Sequence, residues 1–353
     1  MNDNRNFYDN IIFETSEDRA EKRRKMMHTF SRFFIGLFAY LLSFQLIGSA
    51  VYIVAKYTMS AEQYASFSTN AILSILLSSG VQYLLAFPLF LLITKNMPVS
   101  EKTEKKKLTI GEIAVFTAIA EAFMYAGNLV GTLLNSFIGS FIGKNPTNGV
   151  EEIVSSTPMW LLFLFLVVIG PIVEEIIFRK VMIDRISIYG DHVAIIFSAA
   201  AFGLMHGNLY QLFYATLLGA LLGYVYTKTR DVRYTIVIHM ILNLLGSVIA
   251  LPVQKALSDF SDQLTAFYSG LEVNTLNLVT NGIISTLYTS VQTGLIIAGV
   301  ISLIYLYKRH DIHISKEKEI FLPDSEIAKG GALNVGAILF VILTLALTIL
   351  NLF

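Results

Sequence analysis

Six strongly polar side chains lie in stretches of this sequence that are otherwise apolar. They are Glu174, Glu175, Arg179, His206, His239 and Asn243. A charged side chain near the centre of a bilayer costs at least ~2.5–3.5 kcal/mol on insertion scales. Such groups are therefore expected to pair with one another, to line a cavity or to do chemistry.

The spacing of the two acids and the arginine along a helix indicates which acid pairs with the arginine. Glu175 and Arg179 are four residues apart, so they share a helix face and an ion pair between them is expected. Glu174 lies ~100° away around the helix and must face something else. The spacing therefore predicts that Glu174, rather than Glu175, is available for chemistry.

The same four-residue spacing recurs in two later segments. Phe202 and His206 are four residues apart, and so are His239 and Asn243. Each pair presents one face of its helix, so three helices could converge on one cavity. The sequence thus predicts a site that holds a carboxylate, two imidazoles and an amide.

This set of side chains supports two routes to the hydrolysis of an amide bond. A carboxylate beside a histidine can hold a water molecule and accept its proton, while an imidazole and an amide can donate hydrogen bonds to an oxyanion. Alternatively, Glu174, His206 and His239 could ligate a zinc ion that activates the water. The His-Glu-x-x-His pattern of zinc proteases is absent, so no conventional zinc site is predicted.

Purely structural roles are the alternative for each group taken alone. A single intramembrane histidine is commonly an interhelical hydrogen-bond partner, and the Glu175–Arg179 pair could serve packing alone. The functional interpretation depends on the coincidence of all three helical segments.

The composition indicates which kind of protein positions these residues. Of the 353 residues, 54% are hydrophobic and only 15% are charged, and the mean hydropathy is +0.62. Since a soluble domain carries about 25% charged residues, the chain is predicted to be a polytopic membrane protein. The 26 basic and 26 acidic residues balance, which argues against nucleic acid as a partner. Cysteine is absent, which excludes thiolate nucleophiles and cysteine-ligated metals.

The predicted fold is an all-α transmembrane helical bundle of eight or nine spans, because a helix satisfies its own backbone polar groups in lipid. The fifth span, Val193–Met205, is short enough to be a re-entrant piece instead of a crossing. The predicted organisation is a cytoplasmic tail over 1–29, transmembrane helices 1–3 over 30–157, a catalytic core over 158–251, an extracytoplasmic segment over 252–282 that could carry a surface helix, and C-terminal transmembrane helices over 283–353.

Basic residues predict the orientation of the bundle. A cluster precedes the first span: Arg19, Lys22, Arg23, Arg24 and Lys25. The loops that follow the second, fourth, sixth and eighth spans are also rich in lysine and arginine. The positive-inside rule places all of these segments, and the N-terminus, in the cytoplasm.

This topology creates a problem of depth for the site. Glu174 lies near the cytoplasmic end of its span, whereas His206 lies about 21 Å along its helix from His192. The two side chains can meet if the fourth helix runs well past Arg185 or if the fifth begins below the membrane surface. We expect such an arrangement, with a cavity that opens toward the cytoplasmic half.

Three motifs resemble those of a known family. Glu-Glu-Ile-Ile-Phe-Arg at 174–179, Phe-Gly-Leu-Met-His at 202–206 and His-Met-Ile-Leu-Asn at 239–243 are similar to the Glu-Glu-x-x-x-Arg, Phe-x-x-x-His and His-x-x-x-Asn motifs of the CPBP intramembrane proteases, formerly called Abi. That family includes CAAX prenyl endopeptidases and bacteriocin-processing or self-immunity proteins. The resemblance covers about Pro158–Ala250, in motif order and without a departure.

The resemblance implies a core like that of the CAAX prenyl endopeptidases and a role for each motif residue. Glu174 would be the catalytic base and would act with His206 on the attacking water. His239 and Asn243 would stabilise the oxyanion. The implied supporting residues are Glu175, Arg179 and Phe202. The family is labelled both as metalloproteases and as glutamate-dependent, metal-free enzymes, so the participation of zinc stays open.

The favoured hypothesis is an intramembrane endopeptidase of a bacterial plasma membrane that cleaves a membrane-associated or lipidated protein or peptide. Its substrate could be a prenylated CAAX tail, a leader peptide or another peptide. A second hypothesis is a non-enzymatic bacteriocin self-immunity or partner-binding protein of the same fold. A third is a transporter whose buried acids relay protons, against which the absence of a visible internal repeat argues.

Overall fold

The computed structural model describes residues 15–102, 106–143 and 157–352, and all regular secondary structure within these ranges is helical. Residues 1–14 of the predicted tail and 144–156 before the predicted core lie outside them. Seven of the described helices are long and apolar enough to cross a membrane: α1 (Ser16–Thr58), α3 (Ala71–Thr94), α4 (Ile110–Ile142), α5 (Met159–Tyr189), α7 (Leu209–Thr229), α8 (Val232–Tyr268) and α9 (Thr275–Lys308).

Four shorter helices complete the described part of the chain. They are α2 (Ala61–Ser68), α6 (Asp191–Met205), α10 (Asp324–Ala332) and α11 (Val335–Leu350). The last two meet at an angle of 58° and together are apolar enough to form an eighth span. The predicted all-helical, multi-pass bundle is therefore confirmed, with seven or eight candidate spans. The predicted fifth span is α6, which at 15 residues falls short of a full crossing.

The lysine- and arginine-rich segments meet at one end of the bundle, which we call the basic end. Asp191, at the start of α6, pairs with Arg230 at 2.7 Å and with Lys102 at 3.3 Å. Nearby, Arg19 of α1 pairs with Glu326 of α10. These contacts join α1, the loop before α4, the α5–α6 turn, the end of α7 and α10. The basic segments thus share one side, as their distribution along the sequence predicts.

The turn between α5 and α6 resolves the problem of depth. Gly190 has a φ of +116°, which a residue with a side chain rarely adopts, and it allows α6 to fold back along α5. Helix α5 continues well past Arg185, to Tyr189. Glu174 therefore lies 16 residues before Gly190 and His206 lies 16 residues after it. Both side chains line the same cavity, so the antiparallel course of α5 and α6 brings them to similar depth.

Helix α7 returns toward the basic end beside α4, and glycines allow the two helices to approach closely. A Cβ atom at Gly131 would lie 2.9 Å from the carbonyl oxygen of Tyr210, and Gly127 lies directly against the backbone of Tyr214. Small residues at four-residue spacing are the usual means of close packing between membrane helices. They bring the first turns of α7 next to the middle of α4.

The segment 252–282 differs from its prediction. Residues as far as Tyr268 continue α8, and α9 begins at Thr275 and packs against it, so two paired helix ends replace the expected surface helix. At ~1.5 Å per residue α8 is about 55 Å long, well beyond a hydrocarbon core of ~30 Å. The helix continues beyond its apolar stretch because the residues at 254–257 are of types that favour helix: Gln, Lys, Ala and Leu.

Candidate active site

The ion pair expected from four-residue spacing is present on α5. Arg179 donates from Nε to Oε2 of Glu175 at 2.9 Å and from Nη2 to Oε1 at 3.5 Å, and both side chains are fully buried. Arg179 also donates from Nη1 to Oγ of Ser198 at 2.7 Å, and Ser198 donates to the carbonyl oxygen of Phe178 at 3.0 Å. Each charge is therefore compensated inside the bundle, as burial requires.

Ser198 was missed in the sequence analysis, although a signal for it exists. It lies four residues before Phe202 and eight before His206, so all three share one face of α6. Extending the Phe-x-x-x-His motif by one helical turn toward the N-terminus would have found it.

Phe202 is the aromatic centre of the site. Its ring makes edge-to-face contacts with Phe178 at 5.2 Å, with His206 at 5.1 Å and with His239 at 5.8 Å between ring centroids. The guanidinium carbon of Arg179 lies 5.2 Å from the centroid of the same ring, within the range of a cation–π contact. One side chain thus fixes the spacing of both imidazoles relative to α5.

Each histidine is held through its Nδ1 atom. Nδ1 of His206 lies 2.8 Å from the carbonyl oxygen of Phe202, and Nδ1 of His239 lies 3.0 Å from Oε1 of Glu175. A carbonyl and a carboxylate only accept, so in both rings Nδ1 carries the hydrogen. The Nε2 atoms take no part in these two contacts, and Nε2 of His239 lies 3.7 Å from Oε2 of Glu174.

Asn243 joins α8 to α5, and Pro171 explains why. Residues Phe163–Ile169 form a π-helical stretch in which the N–H of Gly170 bonds to the carbonyl of Phe165. The same register would give the carbonyl of Leu166 the N–H of residue 171, but Pro171 has none. Asn243 supplies the missing donor, from Nδ2 to the Leu166 oxygen at 2.8 Å. One of its two amide hydrogens therefore has a structural partner.

A cavity of about 470 Å³ collects the predicted catalytic groups. Its lining includes the four residues predicted as catalytic, Glu174, His206, His239 and Asn243, together with Phe202. The Glu174 side chain is 21% exposed, whereas that of Glu175 is 0% exposed and does not line the cavity. The two adjacent acids therefore have different surroundings, as the angle between them around the helix predicts: Glu174 lines the cavity and Glu175 does not.

The rest of the lining comes from a later part of the motif-bearing helix α8 and from two helices without a motif. Helix α7 contributes Tyr210, Gln211 and Tyr214, α4 contributes Asn128, and α8 contributes Gln254. The cavity follows α8 from the motif histidine to Gln254, away from the basic end. The expected opening toward the half nearest the basic loops stays a prediction.

The residues considered for zinc fit only in part. In both imidazoles Nδ1 is fixed by an acceptor, so the neutral form of each ring would present a bare Nε2 atom, as metal-binding histidines do. However, no three histidine, aspartate or glutamate side chains in the described ranges are arranged to hold a metal ion together. Glu174, His206 and His239 therefore do not form a ligand set in this arrangement, and we derive no step through a metal.

Comparisons with known proteins agree with the three motifs. Residues 156–245 match the family model described as Type II CAAX prenyl endopeptidase Rce1-like. The chain is 25% identical over 197 residues to a Bacillus subtilis (strain 168) protein named "Putative membrane peptidase YdiL", a match that spans 55% of this chain and 80% of that protein. No solved structure matches significantly. The resemblance inferred from the motifs is thereby confirmed for the region that carries the site.

Proposed function

We propose that this chain is an intramembrane endopeptidase that hydrolyses a peptide bond of a membrane-associated or lipidated protein or peptide. The observation that carries the proposal is the different surroundings of the two acids. Glu174 lines the cavity with His206 and His239, whereas Glu175 is buried in an ion pair with Arg179. The match to a CAAX prenyl endopeptidase family and the similarity to a protein named as a membrane peptidase support the same activity.

In the proposed reaction Glu174 accepts a proton from a water molecule whose oxygen attacks the carbonyl carbon of the substrate. In the neutral form of His206 the one ring hydrogen lies on Nδ1, which bonds to the Phe202 carbonyl, and Nε2 is assigned to accept the second hydrogen bond of the same water and orient it. When the tetrahedral intermediate collapses, the proton held by Glu174 passes to the leaving nitrogen. The carboxylate is thereby restored for the next turnover.

Asn243 and His239 are assigned to the oxyanion. One amide hydrogen of Asn243 bonds to Leu166, and the second is the one assigned to the developing charge. Nδ1 of His239 already donates to Glu175, so donation to the oxyanion requires a second hydrogen on Nε2. This step therefore uses the imidazolium form of His239, held between two carboxylates.

We further propose that the basic end faces the cytoplasm of a bacterial cell and that the surrounding partner is the lipid of its plasma membrane. The support is the positive-inside rule together with the meeting of all basic segments at one end of the bundle.

The test is cleavage of a quenched fluorescent decapeptide library by the purified protein in lipid nanodiscs. We expect Glu174→Gln to lower the rate ~10²- to 10⁴-fold, the usual contribution of a general base, without loss of folding. The matched control is Glu121→Gln: Glu121 is an acid on α4 that is mostly buried but does not line the cavity. Activity retained by Glu174→Gln would refute the assigned base, and a folded wild-type protein without cleavage would favour the non-enzymatic alternative.

A chelator arm of the same assay decides the role of metal. Cleavage that survives 1,10-phenanthroline supports the metal-free route written above. Cleavage that is lost with the chelator and restored by zinc alone would show that Glu174, His206 and His239 rearrange to bind the ion.

A further inference from the structure

A second cavity lies at the basic end of the bundle, away from the motifs. Its volume is about 570 Å³, and three basic residues close together on α1 line it: Arg24, Lys25 and His28. These three residues are exposed, whereas Ile188 and Tyr189, which also line the cavity, are buried. The second cavity therefore combines a cationic edge with a mostly apolar floor.

Four segments of the chain meet around the second cavity. Besides α1, they are the end of α5 at Tyr189, the loop between α3 and α4 at Pro98, and the segment before α10 at Ile320. Ile320 is fixed there because its N–H donates to the carbonyl oxygen of Ile188 at 3.0 Å. The ring of Tyr189 packs against that of Phe30 on α1, with 5.9 Å between the ring centroids. The cavity is thus shaped by tertiary contacts and not by the surface of one helix.

The basic groups at the edge of the second cavity are available to an anion. Lys25 pairs with Glu21 at 2.7 Å, but both side chains are more than half exposed, and such a pair contributes little. Among the residues that the structure describes, no carboxylate lies within ion-pairing distance of Arg24 or His28. These two residues are four apart and share one helix face, so both can contact the same anion.

Arg24 and His28 also lie close to the level of lipid headgroups. The first apolar stretch begins at about Phe33, so at ~1.5 Å per residue His28 lies about 8 Å and Arg24 about 14 Å outside it. The headgroup region is ~5–8 Å thick on each side of the hydrocarbon core, and the long side chain of Arg24 can reach back toward it. The apolar floor at Ile188 and Ile320 suits the glycerol and upper acyl part of a lipid, which a soluble phosphate ester lacks.

From this combination we propose that the second cavity binds the phosphate group of an anionic phospholipid, with Arg24 and His28 as its principal contacts. The phosphate oxygens accept charge-assisted hydrogen bonds from guanidinium and imidazole groups, and the apolar floor covers the adjoining part of the lipid. A lipid bound there ties α1 to the end of α5, the helix that carries Glu174. Lipid binding at this cavity does not depend on peptidase activity, so the two can be tested separately.

The test is native mass spectrometry of the purified full-length protein in detergent, titrated with phosphatidylglycerol or with phosphatidylcholine. We expect phosphatidylglycerol to bind about tenfold more tightly, because basic residues attract the anionic headgroup. Arg24→Gln should weaken the binding of phosphatidylglycerol about fivefold, the usual contribution of one basic residue, and leave that of phosphatidylcholine unchanged. Adding His28→Gln should weaken it further. Equal affinity of the wild-type protein for the two lipids would overturn the proposal.

Arg23→Gln is the matched control. Arg23 is the neighbouring residue on α1, is also exposed and carries the same charge, but it does not line the second cavity. Its substitution should change the affinity for phosphatidylglycerol less than about twofold. Equal losses in Arg23→Gln and Arg24→Gln would show a diffuse attraction to the basic end instead of a site, and would overturn the proposal.

Two competing occupants are tested in the same assay. Glycerol 3-phosphate at the concentration of the lipid should not displace phosphatidylglycerol, and displacement would assign the cavity to a soluble phosphate ester. The three acids that precede Thr15 in the sequence are neutralised together, as Asp3→Asn, Asp9→Asn and Glu14→Gln, which should leave the affinity within about threefold. A rise of about tenfold or more would show that the N-terminal tail competes for the cavity. Either contrary result would overturn the lipid as the occupant.

Discussion

The buried ion pair on α5 allows a quantitative test of how the site is held. Arg179 has three hydrogen bonds, two to Glu175 and one to Ser198, and both charged side chains are 0% exposed. Arg179→Met would leave the Glu175 carboxylate buried without its guanidinium partner, with His239 and Thr235 as its remaining side-chain partners. Removing one partner of such a pair costs about 3–5 kcal/mol, a large part of a typical stability of about 5–15 kcal/mol.

The double variant separates charge from packing. Glu175→Gln combined with Arg179→Met removes both charges, and the amide oxygen of the new side chain can still accept from Nδ1 of His239. Because replacing a whole buried pair by neutral groups of similar size is often nearly neutral, we expect the double variant to be at least about 2 kcal/mol more stable than Arg179→Met alone. It should also keep Glu174-dependent cleavage to within about tenfold.

The assay is the free energy of unfolding, measured by titration with sodium dodecyl sulfate in mixed micelles and followed by circular dichroism. Lys180→Met is the matched control, since Lys180 is the next residue on the same helix and its 2.8 Å pair with Asp184 is 58% exposed on the lysine side. A solvent-exposed pair contributes at most about 1 kcal/mol. The reasoning fails if Arg179→Met lowers the free energy of unfolding no more than Lys180→Met does. It also fails if the double variant loses as much as Arg179→Met and Glu175→Gln, measured separately, lose in sum.

Two further predictions concern the packing that positions the cavity. Gly127→Val should destabilise the protein by ~1–3 kcal/mol because the valine side chain would meet the backbone of Tyr214. The control Gly294→Ala, with no atom within 4 Å of the new Cβ, should be neutral or stabilising by up to ~1 kcal/mol. Equal thermal stabilities of the two variants in detergent would contradict this prediction. Tyr226→Phe removes a buried 2.7 Å hydrogen bond to Asp184 and should cost about 1.5–3 kcal/mol. An unchanged unfolding free energy would show that this contact does not tie α7 to α5.

The part of the site that lies within single helices could be predicted from the sequence. Four-residue spacing gave the Glu175–Arg179 pair, and the helical angle separated Glu174 from its neighbour. Both follow from the geometry of one helix and need no knowledge of packing. The same reasoning extended by one turn would have added Ser198.

The contacts between helices could not be predicted in this way. The bond from Asn243 to Leu166 depends on a π-helical register and on the missing N–H of Pro171. The wall formed by Tyr210 and Tyr214 depends on how closely α7 approaches the glycines of α4. Neither the register of a helix nor the distance between two helices is encoded in the periodicity of either one.

The two adjacent acids now have distinct and connected uses. Ser198, Arg179, Glu175 and His239 form one buried chain of polar contacts from α6 through α5 to α8, so the Glu175 carboxylate fixes the imidazole that Glu174 approaches from the other side. The turn at Gly190 folds α6 back along α5, so Glu174 and His206 line the same cavity. An offset of one residue would shift them by ~1.5 Å, enough to misplace a water held between them. The α5–α6 turn is therefore as much a part of the site as the motifs.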